Sequence, residues 1–127
     1  MTAMLAIDGA MGEGGGQVLR SALSLSLITG RAFHMSRIRA RRDRPGLRPQ
    51  HLAAVQAAMQ VSGAQVAGDR VGSTEIRFRP GPVQPGDYLF DIGTAGATAL
   101  VLQTLLLPLA LADGNSSVII HLSLIHI

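Results

Sequence analysis

The chain has 127 residues, 47% hydrophobic but only 3% aromatic, with 11 basic and 8 acidic side chains and a formal charge of +3. That is enough for one domain or part of a larger protein, and large enough to bury a core without disulfides. Cysteine and lysine are both absent, which excludes a disulfide scaffold, a thiol or lysine nucleophile, Schiff-base chemistry, cysteine metal sites and a Walker-type lysine.

In chain order, Met4 to Ile7 is a short apolar run stopping at Asp8-Gly9, which predicts a buried strand entering a turn. Gly12, Gly14, Gly15 and Gly16 predict a tight loop. From Gln17 to Thr29 the apolar positions Val18, Leu19, Ala22, Leu23, Leu25 and Ile28 fit a helix closed by Gly30. Phe33, Met35 and Arg37 read as a strand. Pro45 to Pro49 reads as a turn, and Leu52, Val55 and Met59 mark a face of a second helix ending near Gly63. Gln65 to Gly68 is a weak strand, and Glu75 to Arg79 a clear one, with Ile76 and Phe78 on one face.

Pro80-Gly81-Pro82 and Pro85-Gly86-Asp87 are breakers that mark a boundary. Beyond it the pattern restarts. Tyr88 to Ile92 reads as a strand, Gly93 to Gly96 as a small-residue loop, Ala97 to Ala112 as a buried helix and Val118 to His121 as a further strand. The fold class is therefore α+β, with one β-α-β-α-β-β unit over 1–80 and an incomplete second unit over 81–121. The apolar run Ala99 to Ala112 is too short for a membrane span of ~20 residues. No targeting segment opens the chain, and a soluble, cytoplasmic protein is expected. The second unit lacks partners for its faces, so the sequence reads as a truncated protein.

Three blocks can carry chemistry. The first is Asp8-Gly-Ala-Met-Gly-Glu13-Gly-Gly-Gly-Gln17-Val-Leu-Arg20. Glycines before a helix let the backbone approach a ligand closely, and the first helical N–H groups attract an anion. Glu13, Gln17 and Arg20 together on that loop point to a phosphate site, although a plain structural turn has the same glycines. The second block runs from Arg31 to Arg48. It holds seven of the eleven arginines with Asp43 as its one acid, a local +6, while the other 109 residues sum to −3. Arginine forks bind phosphate oxygens bidentately and keep their charge. The rigid Pro45-Gly46 turn is expected to aim these groups over the glycine loop; a solvated basic loop is the bland alternative. Gln50 and His51 open the second helix, where a lone histidine is more often a surface residue than a catalyst. The third block is Gly93-Thr-Ala-Gly96 through Gln103, in which Gln103 is either a satisfied core glutamine or an amide reading a nucleobase or ribose. Asp8 and Asp91 each follow a strand, but neither has a partner at metal-ligand spacing.

At these blocks the sequence resembles the RNA 3′-terminal phosphate cyclases. Asp8-Gly-Ala-x-Gly-Glu-Gly-Gly-Gly-Gln17 followed by Arg20-Ser-Ala-Leu-Ser-Leu-Ser is similar to that family's opening signature. Ile38-Arg39-x-x-Arg42-x-x-Pro45-Gly46-Leu47-x-x-Gln50-His51-Leu52 resembles its second block. Phe78-Arg79-Pro80-Gly81 and Gly93-x-Ala-Gly96 through Leu-Val-Leu-Gln103-Thr resemble the next ones, so the likeness runs over about residues 4–121.

The resemblance implies repeated β-α-β-α-β-β units like the C-terminal domain of a translation initiation factor. It implies a ligase-class reaction in which AMP passes from ATP to an active-site histidine, with a divalent cation (Mg or Mn) assisting, and then to the 3′-phosphate of RNA. The neighbouring 2′-hydroxyl displaces AMP and leaves a 2′,3′-cyclic phosphate. By motif, Glu13 would help bind the metal or ATP phosphates. Arg20, Arg39 and Arg42, with Gln17 and Gln50, would hold phosphate or RNA, and Gln103 would contact the adenylate.

By the resemblance, the nucleophilic histidine is expected in the C-terminal part of a longer chain, outside these 127 residues. His34, His51, His121 and His126 match no nucleophile position, so the chain as written is expected to be inactive. After His121 the family continues Gly-Gly-Thr, whereas residues 122–127 read Leu-Ser-Leu-Ile-His-Ile, resembling a translated sequencing adapter. A cyclase-like, non-catalytic factor in ribosomal RNA processing is the alternative, against which the intact glycine-glutamate loop speaks. A carboxyvinyl transferase would need lysines that are absent.

Overall fold

A computed structural model describes residues 4–11, 16–92 and 95–122, with only the backbone of Ala95 and Leu122. Phe33 and Phe78 show how the first half is built. They are directly paired across two antiparallel strands, their ring centroids lie 5.6 Å apart, and both are fully buried. Strand alternation then forces their neighbours His34 and Arg77 to the opposite face. Strands β1 (Leu5–Asp8), β2 (Phe33–Ser36), β3 (Gln65–Ala67) and β4 (Ile76–Arg79) form one mixed sheet in the order β1-β2-β4-β3. β1 and β2 are parallel, joined by a helical crossover, and the other two pairings are antiparallel.

Helices α1 (Gly16–Thr29) and α2 (Pro49–Ser62) cover the face that carries Phe33, Met35, Ile76 and Phe78. Leu19, Ala22, Leu23 and Leu27 form the buried stripe of α1, while Ala54, Val55, Ala58 and Val61 form that of α2. The face predicted for α2 is thus rotated: Val55 is central, and Leu52 and Met59 are half-buried at its border. Alanines at 54, 57 and 58 let this helix approach its neighbours more closely than leucines would. Gly63 ends α2 in the left-handed conformation, φ 65°, and its N–H donates to Met59 O at 2.7 Å.

Strands β5 (Asp87–Ile92) and β6 (Ser117–Leu122) pair in parallel across helix α3 (Ala95–Leu111). α3 packs on both α1 and α2, so Ala97, Val101, Leu105 and Leu109 join the same core as Leu23 and Val61. Among the described residues no helix is long and apolar enough to cross a membrane.

Two burial expectations are corrected. β1 is not a buried strand: it lies at the sheet edge and its Leu5 is largely exposed. α3 is buried along one side only, and Leu102, Leu106, Leu107 and Leu111 face outward. A uniformly apolar helix has no polar stripe to show which side is covered.

Candidate functional site: a donor-lined anion cradle

The parallel β1/β2 pair brings two loops out at one end of the sheet. Gly9 N donates to Ser36 O at 2.7 Å, and a β-carbon at residue 9 would meet Ser36 O at 2.8 Å and Ile38 Cα at 2.9 Å. Only glycine permits the two strand exits to touch so closely. Asp8 joins them with both oxygens: Oδ1 accepts from Ala10 N at 3.0 Å, and Oδ2 from Arg37 Nη1 at 3.1 Å. This arginine does not continue β2 as expected. It sits at φ 54°, Arg39 follows at φ 51°, and the chain turns away from the sheet. Left-handed backbone at a non-glycine residue costs on the order of 1–3 kcal/mol and persists only where surrounding bonds impose it.

Those bonds are present. Arg39 Nη1 donates to Arg44 O at 2.6 Å and to Gly46 O at 3.1 Å, bracing the arginine loop from inside. The loop is also sewn to the β3–β4 connection. Ile38 N donates to Thr74 O at 3.0 Å, Leu47 N to Ser73 O at 2.9 Å and Gly72 N to Leu47 O at 2.7 Å. Leu47 is fully buried under this seam. Burial, then the neighbouring Arg42 and Arg48, holds the Arg39 guanidinium below the usual arginine range. These like charges repel one another, a load that a bound anion would relieve.

Pro49 opens α2 at its first position, which places His51 at the third. There the imidazole reaches back, and Nδ1 accepts the N–H of Arg48 at 3.0 Å. This is the return half of a capping box, made by a histidine instead of a glutamate. An Nδ1 that accepts leaves the proton of the neutral ring on Nε2. His51 is only 5% exposed, and its pKa is lowered to about 4 by burial first and then by Arg39 and Arg48. It is therefore a neutral donor near pH 7, not the surface residue that helix starts usually carry.

His51 Nε2 lies against the start of α1, where a β-carbon on Gly16 would come within 2.6 Å of it. The first turn of a helix has N–H groups without intrahelical partners, and among the described residues that of α1 holds no acidic side chain. Arg20 lies one turn further on the face of Gly16, and long helical side chains lean toward the N-terminus. Its Nε is buried with no hydrogen-bond partner among the described residues. Helix N–H groups and an imidazole N–H thus meet at Gly16, and one turn along the same helix face Arg20 carries a buried guanidinium N–H without a partner among the described residues; an anion would complete such a set.

On this frame Gly16, one turn before Arg20 on α1, meets His51 at the α2 start, whereas Gln17 and Gln50 are exposed at their helix starts. Arg42 is exposed on the arginine loop, in the electrostatic neighbourhood of Arg39. Glu13 and the residues 93–94 lie outside the described residues. Gln103 is not a core glutamine; it is exposed on α3 beside Leu102 and Leu106, away from the buried face. Asp91 Oδ1 lies 3.1 Å from His121 Nδ1 across the β5/β6 pair. Two residues that sequence reasoning passed over are Arg37, which ties the loops through Asp8, and His51 as a buried donor. Pro at the first helical position and histidine two places later was the available signal for the latter.

Comparison with known proteins gives this geometry a family context. Residues 11–121 match the family model described as RNA 3′-terminal phosphate cyclase. The proteins similar to the chain include several named RNA 3′-terminal phosphate cyclase. The Salmonella typhimurium protein is 60% identical over 121 residues, covering 95% of this chain and 36% of that protein. The Caldivirga maquilingensis protein is 59% identical over 110 residues, covering 87% and 31%. The Ralstonia nicotianae protein is 59% identical over 112 residues, covering 88% and 32%. The chain spans about a third of the length of these relatives.

Proposed function

We propose, from the premise that this chain belongs to the RNA 3′-terminal phosphate cyclase family, that it forms the phosphate-holding part of an ATP-dependent cyclase acting on RNA 3′-phosphate ends. The observation that carries the reading is the set of donors at the two helix starts: the α1 N-terminus, His51 Nε2–H and, one turn along α1, an Arg20 Nε without a partner among the described residues. A terminal phosphate accepts hydrogen bonds and donates few, so it suits this set.

In the proposed reaction, a histidine outside this chain attacks the α-phosphorus of ATP, forming a P–N bond and releasing pyrophosphate. An oxygen of the RNA 3′-phosphate then attacks that phosphorus, breaking the P–N bond and freeing the histidine. The 2′-hydroxyl attacks the 3′-phosphorus, AMP leaves, and the hydroxyl proton passes to solvent. ATP and 3′-phosphorylated RNA become AMP, pyrophosphate and a 2′,3′-cyclic end. Two phosphates must approach an already anionic end, so positive donors that neutralise both lower the barrier. Arg20, Arg39 and Arg42 supply that charge, with Gln17 and Gln50 as amide donors at the helix starts. His51 stays neutral and orients one phosphate oxygen.

Gln103 would contact the adenylate only in concert with groups beyond the described residues. The divalent cation expected from the resemblance would draw on Glu13. Among the described residues no three acidic or imidazole side chains gather as a cation cage, and the cradle acts through N–H donors. We read residues 81–121 as a partial second copy of the first unit, because both open with a parallel strand pair around a helix. None of the chain's histidines stands at a nucleophile position, so these 127 residues alone take up no AMP.

The test is turnover by the full-length protein containing this chain. With ATP and RNA ending in a 3′-phosphate, the end should become resistant to phosphatase, while RNA ending in a 3′-hydroxyl stays unchanged. ATP-independent protection, or none, would sink the proposal. Covalent labelling of the 127-residue chain by radioactive AMP would overturn its predicted inactivity.

A further inference from the structure

The helix-free face of the four-stranded sheet has a charge distribution that the anion cradle does not use. Outside the arginine stretch and Arg20 the chain has three arginines, Arg70, Arg77 and Arg79, and all three serve this one face. Register explains two of them. Phe78 points at the helices, so its neighbours Arg77 and Arg79 must stand on the open side, in line with His34 and Ala67 and with Gln65. Arg70 comes from the β3–β4 connection, which meets the same face.

A cavity of about 570 Å³ lies between that connection and the sheet, with Arg70, Ser73, Arg77 and His34 in its wall. A smaller one of about 190 Å³ continues along Arg77 and Arg79 to Gln65 and Met4. Glu75 is engaged by His34 Nε2 at 2.9 Å, and Asp69 is the other acid on the connection. Among the described residues none of the three arginines has a carboxylate within salt-bridge distance. The trough also adjoins the arginine loop. Residues 72–74 of its wall are the ones hydrogen-bonded to Ile38 and Leu47 of the arginine loop.

We infer that this face is a track for single-stranded RNA, holding the strand upstream of the end seated in the cradle. The inference rests on the cyclase reading above for its ligand. The chemistry is that of backbone phosphates, since the face carries three arginines and, among the described residues, no Phe, Tyr or Trp ring to stack bases. Binding there is sequence-independent, strengthens with RNA length, and weakens with salt as each arginine–phosphate contact releases counterions.

The experiment compares 3′-phosphorylated RNAs of about four and about fifteen nucleotides, spanning the usual single-strand site sizes. Binding to the full-length protein is followed by fluorescence anisotropy over a salt series. The parent should bind the longer RNA at least about tenfold more tightly. The triple variant Arg70→Gln/Arg77→Gln/Arg79→Gln should lose that advantage and reduce the log–log salt slope by about 2, from ~0.7 per phosphate contact on a single strand. Its affinity for the short RNA should be unchanged, and Arg77→Lys/Arg79→Lys should retain most of the length effect. Equal affinity of the parent for both lengths would overturn the track, as would equal weakening of both RNAs in the variant. Indifference to a 3′-phosphate against a 3′-hydroxyl on the short RNA would instead overturn the cyclase reading, with the length dependence still standing as a separate result.

Discussion

His51 Nε2 and Gly16 are in contact with no room for a methyl group: a β-carbon on residue 16 would stand 2.6 Å from the imidazole nitrogen. The third residue of one helix thus abuts the first residue of another. The ring is itself fixed through Nδ1 by the Arg48 N–H. Two helix starts, distant in the chain, are locked into one surface.

Replacing Gly16 with alanine separates this contact from simple helix preference. On an unobstructed helix start the change would stabilise by up to ~1 kcal/mol. Here it should destabilise by about 1–3 kcal/mol, because the rigid, buried ring cannot move aside without breaking its bond to Arg48. Thermal melts of parent and variant decide the sign, and affinity for 3′-phosphorylated RNA should fall with stability.

Protonation of His51 should weaken the fold in acid. Its folded pKa of about 4 lies below the ordinary value of 6.5. Between those values the unfolded chain takes up a proton that the folded chain refuses, so stability falls as pH drops from 6.5 to 4. It is unaffected by this group above the ordinary value. The loss should be on the order of 2 kcal/mol. His51→Gln, whose amide oxygen can still accept from Arg48, should flatten the pH dependence of the melting temperature across that window. An unchanged slope would remove His51 as its source.

Arg20 should show opposite effects on stability and binding. Its buried Nε lacks a partner among the described residues, a burden of about 1–3 kcal/mol in the unliganded protein. Arg20→Met should therefore leave the melting temperature unchanged or raise it. The same change should weaken binding of a 3′-phosphate end by about 10–100-fold, the worth of one charge-assisted hydrogen bond. A variant that binds normally would exclude Arg20 from the site.

Gly46→Ala tests the seam beneath the arginine loop. Gly46 sits at φ 84°, and a β-carbon there would collide with the carbonyl of Gly72. The backbone cost alone is ~1 kcal/mol or more, and the collision adds to it. Hydrogen exchange should report opening of the Ile38, Leu47 and Gly72 amides ahead of those in β2 and β4. Uniform loss across the sheet would mean that the seam is not a separate unit.

Much of this molecule is legible in the order of its residues. Alternation marks β4, 3.6-residue periodicity marks α1, and Gly30 and Gly63 mark the helix ends, because these are local constraints on backbone and burial. The arginine stretch and the glycine loop likewise point, through composition, to the anion site proposed above. Burial on a particular side is not legible where a segment is apolar throughout. α3 offers leucines to both sides, and β1 resembles a central strand until the sheet order puts it at an edge.

What the sequence determined by itself is the inventory: which elements form, which donors exist, and that no lysine or cysteine chemistry is available. What only the tertiary structure decided is which donors share a space. Gly16 and His51 meet because α1 and α2 pack on the same sheet face. Arg77 and Arg79 are separated from that cradle because Phe78 between them must point inward. Local forces choose helix or strand over a few residues, but pairing of distant side chains depends on sheet order and helix docking, and those are set by the shared core.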